Sequence, residues 1–114
     1  MKAESILLNY IRDCILRIGD YLHGEYTLLE SSPMVQAAVL RELQTMAETT
    51  MRLADESRER HNDVPWAEIR DFRNILVHGY LGVDMEVVRG IVVDDLPGLL
   101  RAVESLLRDR EESA

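Results

Sequence analysis

Arg73-Asn74-Ile75-Leu76-Val77-His78-Gly79-Tyr80 closes a stretch that opens at Val64-Pro65-Trp66. Trp66, Ile69, Phe72 and Leu76 recur at three- and four-residue spacing, the period of a helix with one buried face. Pro65 stands where a helix starts, where its missing N–H costs nothing. Gly79 and Gly82 mark the end of the helix and a turn. Polar Arg73, Asn74 and His78 are set into this apolar run. Asn74 and His78 are four apart and share a face. Arg73 and His78 are five apart, about 140° around an ideal helix. They converge only if the arginine bends round or the helix loosens near Gly79.

The same period extends outward in both directions. Ile6, Leu7, Tyr10, Ile11, Cys14, Ile15, Ile18 and Leu22 predict a long first helix, with Gly24 as its stop. Ser32-Pro33 reads as an N-cap followed by proline at the first helical position. Val35, Val39, Leu43, Met46, Met51 and Ala54 continue that helix to about Asp55 or beyond. The charged run from Asp55 to Asp63 reads as a frayed end and loop. Val83–Val93 is rich in β-branched residues, but a lone strand has no partner in this sequence, so a helix is expected. Asp94-Asp95 reads as the cap of a last helix with Pro97 in its first turn, lined by Leu96, Leu99, Leu100, Val103 and Leu107. The expectation is all-α: a compact five-helix bundle, with residues 1–114 as one domain, an ordered core over about 2–110 and a short acidic tail.

Composition agrees. The 114 residues are 46% hydrophobic and 30% charged, the balance of a globular chain. Aromatics are 5%, with six Gly and three Pro, which argues against a β-sandwich or barrel. With 13 basic and 21 acidic residues the net charge is −8, which disfavours nucleic-acid binding by bulk charge but leaves room for a local basic cleft. Lys2 is the sole lysine; every other cation is arginine, the side chain that grips phosphate bidentately. Cys14, the single cysteine, falls on an apolar helix face and reads as a buried thiol. His23 and His61 lack ligand spacing, so no metal site and no cofactor are expected. No apolar run approaches the ~20 residues of a membrane span and no signal-peptide pattern opens the chain, so a cytoplasmic protein is expected.

Arg, Asn, His and Tyr together suit metal-free RNA cleavage. Imidazole moves protons near neutral pH. Guanidinium holds a phosphate and stabilises charge on phosphorus. One histidine fills one proton-transfer role, and a symmetric dimer supplies two. From chemistry alone, a helix-end histidine is more often a cap or surface residue, and an Arg–Asn pair in a helix is more often structural.

The literal string goes further. Arg73-Asn74 with His78 fits the Arg-X4-His pattern of HEPN-domain ribonucleases. Extended through Gly79-Tyr80, it resembles the HepT-like toxins, which pair with a minimal nucleotidyltransferase antitoxin. Ala37–Arg41, Ala47-Glu48, Val64–Trp66, Ile69-Arg70, Tyr80–Asp84 and Asp95–Pro97 carry the resemblance over about residues 2–110. It implies a HEPN fold, a homodimer and a cleft where two motif helices meet. It implies Arg73 and His78 as the catalytic pair, with Asn74 in support; Arg70 then reads as a candidate RNA phosphate contact that makes the cleft locally basic. It also implies Tyr80 as the residue to which the partner nucleotidyltransferase transfers AMP, silencing the toxin of a type VII-like toxin–antitoxin module. Two positions depart from the family string: Ala47 where many relatives have Gly, and Arg89 where many have Trp. The alternative reading is a non-catalytic HEPN scaffold or antitoxin. Among other polar residues, Asp71 reads as a surface ion pair with Arg70. Glu48 either pairs with Arg73 or Arg70 or faces solvent. Tyr10, Tyr21 and Tyr26 read as packing residues, the methionines as core fillers and Arg89 as a solvated residue.

Overall fold

The apolar period that begins at Ile6 folds as α1, Lys2–Leu22. Leu8, Ile11, Cys14, Ile15, Ile18 and Leu22 line its buried face. The structure, a computed structural model, describes residues 2–79 and 82–113. The helix stops where expected: His23 (φ 33°) and Gly24 (φ 84°) take the left-handed turn that a helix cannot continue. A single turn, α2 (Leu28–Ser31), follows. Ser32 then caps α3, Pro33–Thr50, its hydroxyl accepting from the Val35 amide at 3.2 Å, with Pro33 at the first position.

α1 and α3 form the main seam of the bundle, and the last helix covers the other flank of α1. Val39, Leu43, Ile11, Ile18 and Val103 are fully or almost fully buried there. Each such side chain contributes about 1.5–3 kcal/mol by leaving water. α5, Trp66–His78, packs on α3 through Phe72, Ile69 and Leu76. It follows Pro65 and ends at Gly79, as the sequence predicts.

The described residues are all helical or irregular, with no strand among them. The described residues hold seven α-helical segments and one π-helical segment, not five separate helices, and the differences from the expected bundle are local. α3 ends at Thr50, not near Asp55. Thr49 and Thr50 donate their hydroxyls back to the Thr45 and Ala47 carbonyls, and the chain turns at Met51–Leu53. The presumed loop after Asp55 begins with a short helix, α4 (Asp55–Glu59). The Glu4 carboxylate holds it, accepting from the Ala54 amide at 3.1 Å and from the Ser57 hydroxyl at 2.7 Å. Met85–Gly90 forms α6, as predicted, but its cap is Asp84, which accepts from the Glu86 amide.

Asp94-Asp95 is not a cap. The chain stays helical through a π-helical segment, Ile91–Asp95, into α7, Leu96–Ser113. The Leu96 amide donates to the Ile91 carbonyl five residues back. Pro97 has no N–H for the regular ladder and crowds the carbonyl four residues before it, and the widened turn relieves both. The methionines also divide: Met46 is buried, whereas Met34 and Met51 are exposed.

Candidate functional site

α5 presents the polar cluster because its apolar stripe is committed to α3. With Leu76 and Phe72 turned inward, helical geometry sends Asn74 and His78 outward and Arg73 to one flank. The helix holds its form from Arg73 to His78, so it does not loosen near Gly79. The Gly79 amide closes it by donating to the Ile75 carbonyl at 2.7 Å. A Cβ on residue 79 would stand 3.3 Å from that carbonyl, which favours glycine after the histidine.

Arg73 is engaged by its neighbours on α5 and α3. Its Nη1 donates to Asn74 Oδ1 at 3.1 Å. Its Nε is shielded from solvent with no hydrogen-bond partner, and the nearest carboxylate, Glu48 Oε1, is 3.8 Å away. Glu48 thus lies beside Arg73, the first of the two pairings left open by the sequence. Gln44 Nε2 donates to the same Glu48 oxygen at 3.1 Å. The sequence reading missed Gln44, although its i,i+4 spacing from Glu48 on α3 is the signal that would have found it.

His78 is exposed at the end of α5, with no side-chain hydrogen bond or ion pair among the described residues. Arg70 is 54% exposed and makes only a long contact, 3.4 Å, with its neighbour Asp71. It lines a cleft of about 350 Å3 with Arg58, Trp66 and Thr50. The indole of Trp66 donates to the carbonyls of Arg58 and His61, tying the start of α5 to the end of α4. Tyr80 lies outside the described residues. The structure therefore joins Arg73 to Asn74 and Glu48, places Arg70 along the same helix, and gives His78 no hydrogen bond or ion pair with Arg73 among the described residues.

The remaining candidates fall into structural roles. Ser57 is bonded to Glu4. Tyr21 and Tyr26 are half-buried against the core, and the Arg89 guanidinium lies 5.8 Å over the Tyr26 ring. Tyr10 is exposed, with Arg17 over its ring. No group of three His, Cys, Asp or Glu among the described residues is arranged to hold a metal ion, and no helix is long and apolar enough to cross a membrane. Burial pushes the Cys14 thiol above its usual range, with a hydrogen bond to Thr45 opposing.

Comparison with known proteins places these residues in context. A family model described as "Ribonuclease HepT-like" matches residues 11–106. A Caldanaerobacter subterraneus protein named "Putative RNase" is 33% identical over 109 residues, 95% of this chain and 97% of its own. A Thermococcus cleftensis protein named "Probable ribonuclease HepT" is 34% identical over 71 residues, 62% of this chain and 64% of its own. A Methanocaldococcus jannaschii protein named "Gamma-glutamylcyclotransferase and putative RNase" is 29% identical over 113 residues, 98% of this chain, which spans 51% of that relative's length. No solved structure matches at a comparable level.

Proposed function

This chain belongs to the HepT-like ribonuclease family, and we propose that it is the toxin of a toxin–antitoxin pair, a metal-independent endoribonuclease that works as a homodimer. One observation carries the reading. The Arg73-Asn74…His78 string is intact, His78 is exposed with no side-chain partner among the described residues, and Arg73 is held by Asn74 and, at 3.8 Å, by Glu48. A second copy brought against α5 supplies the missing half: two guanidiniums and two imidazoles around one cleft.

The chemistry then runs without a cofactor. One His78 imidazole takes the proton of a ribose 2′-OH, and the 2′-oxygen bonds to the adjacent phosphorus. The bond from phosphorus to the 5′-oxygen breaks. The second His78, as imidazolium, protonates the leaving oxygen. The products are a 2′,3′-cyclic phosphate and a 5′-hydroxyl. Arg73 stabilises charge on the phosphorus, oriented by Asn74 and Glu48. Arg70, in its cleft beside Arg58, holds a flanking phosphate of the RNA strand.

Tyr80 stands two residues beyond His78. A nucleotide added there brings bulk and a phosphate charge to the cleft and excludes RNA by shape and repulsion. The test uses a minimal nucleotidyltransferase partner with labelled ATP. Label should appear on the wild-type chain and cleavage should stop, while Tyr80→Phe protein should stay unlabelled and active. Label persisting on Tyr80→Phe contradicts the regulatory assignment. Failure of the unmodified chain to cut several classes of RNA contradicts the ribonuclease assignment and returns the scaffold reading.

A further inference from the structure

α5 packs on α3, and a groove runs between it and the helices that follow. α3 forms the floor, α5 one wall, and the run from α6 through the π-helical segment into α7 the other. Its volume is about 480 Å3. Leu43, Met46, Ile69, Phe72, Leu96 and Leu99 make the interior apolar. At the mouth, Ile75 and Val87 are each 53% exposed.

The charged groups that line this groove are of one sign. Glu68 and Asp71 come from α5, and Asp94 and Asp95 come from the π-helical segment; among the described residues no Lys, Arg or His lines it. Burial, then the charges of Asp94 and Glu68, hold the Asp95 carboxyl above its usual range, a sign that these acids are crowded and unneutralised. Asp94 and Asp95 have no capping role here, because Asp84 caps α6 and the chain is already helical when it reaches them. The groove opens on the side of α5 away from Arg73, about 160° from it, and its mouth at Ile75 lies one turn before His78.

We propose that this groove docks a helical segment of a partner protein, with apolar side chains on its inner face and Lys or Arg at its margins. Two helices flank the groove and a third floors it, so a further helix completes the layer by ridge-in-groove packing. α5 is 13 residues long, and a helix of about 12–14 residues laid beside it spans the same ~20 Å. Basic residues at the margins neutralise the four carboxylates. A second copy docked symmetrically would set these carboxylates against the same four, on a chain already at −8. RNA phosphate is repelled by the same rim. The proposal goes beyond the ribonuclease reading and does not depend on it.

The test uses fluorescence anisotropy with the full chain and no RNA. The probe is a labelled 14-residue helical peptide with Leu at four core-facing positions and Lys or Arg at the flanks. The control peptide keeps every Leu and carries Glu at the flanks. The basic peptide should bind saturably and at least about tenfold tighter than the acidic one. Glu68→Gln/Asp94→Asn/Asp95→Asn protein, matched for melting temperature, should lose that preference, and Ile75→Glu should lose binding. Absence of saturable binding, equal binding of the two peptides, or an unchanged preference in the triple variant would each overturn the proposal. So would sedimentation in which Ile75→Glu turns a dimer into monomers, because the groove would then belong to a second copy.

Discussion

Arg17 and Arg73 both project from a helix toward a glutamate of α3, and they end differently. Arg17 is closed. Its Nε and Nη2 reach the two oxygens of Glu42 at 2.9 and 3.1 Å, and the Tyr21 hydroxyl donates to the same carboxylate at 2.8 Å. Arg73 stands 3.8 Å from Glu48, out of hydrogen-bond range, with its Nε shielded and unpaired. A bidentate pair spends the donors of its guanidinium on structure. Arg73 instead gives one hydrogen bond, to Asn74, and pairs loosely with Glu48, and under the proposed function the rest of its guanidinium meets a phosphate. The α1–α3 seam is thus complete within one chain, whereas α5 carries charge and apolar surface that the chain itself leaves unsatisfied.

Substitutions at the two arginines should separate on two readouts. Arg73→Ala should lower RNA cleavage by about 10²–10³-fold with little change in melting temperature. Arg17→Ala should leave cleavage near wild type. Cleavage lost equally in both would dissolve the contrast. Next in size is the long-range clamp on α4. Glu4→Ala strands the Ala54 amide and the Ser57 hydroxyl and should cost about 1–3 kcal/mol in urea unfolding. An unchanged midpoint would mean that water replaces the clamp.

Glu42→Gln should cost less, about 1 kcal/mol at neutral pH, since Arg17 is 41% exposed and solvent screens the pair. Burial raises the Glu42 pKa, but hydrogen bonds from Arg17 and Tyr21 outweigh it and hold the carboxyl below its usual range. A depressed pKa gives stability that is present above the unfolded value of ~4.3 and lost as pH falls through the folded one. Unfolding midpoints below pH 5 should therefore fall less steeply in Glu42→Gln than in wild type. The smallest effect has the opposite sign. Asp95 is raised by burial and by Asp94 and Glu68, so its ionisation weakens the folded state as pH rises above ~3.9. Asp95→Asn should raise the melting temperature at pH 7, by no more than ~2 °C for a solvent-exposed group. A lower melting temperature would mean that the carboxylate has a partner.

What the sequence reveals follows the range of the interactions involved. α1, the Ser32-Pro33 start of α3 and the Trp66–His78 helix are written in local spacing and caps, and all three stand where the pattern puts them. α4 was illegible because its clamp lies fifty residues away at Glu4. Asp94-Asp95 misled because an N-cap and a mid-helix π turn before proline use the same letters; only the continuity of the backbone separates them. The motif on α5 was legible as a string, but its geometry was not. The bend of Arg73 toward Asn74 and Glu48 depends on how α3 lies against α5, and no periodicity encodes that.

The central claim is that the unsatisfied end of α5 cuts RNA. The direct measurement is cleavage of an end-labelled RNA by unmodified protein in excess EDTA, beside His78→Ala protein of matched melting temperature. Wild type should cut, leaving a 2′,3′-cyclic phosphate, and the variant should be at least about 100-fold slower. Equal cleavage by both proteins, or cleavage by wild type that EDTA abolishes, would contradict it.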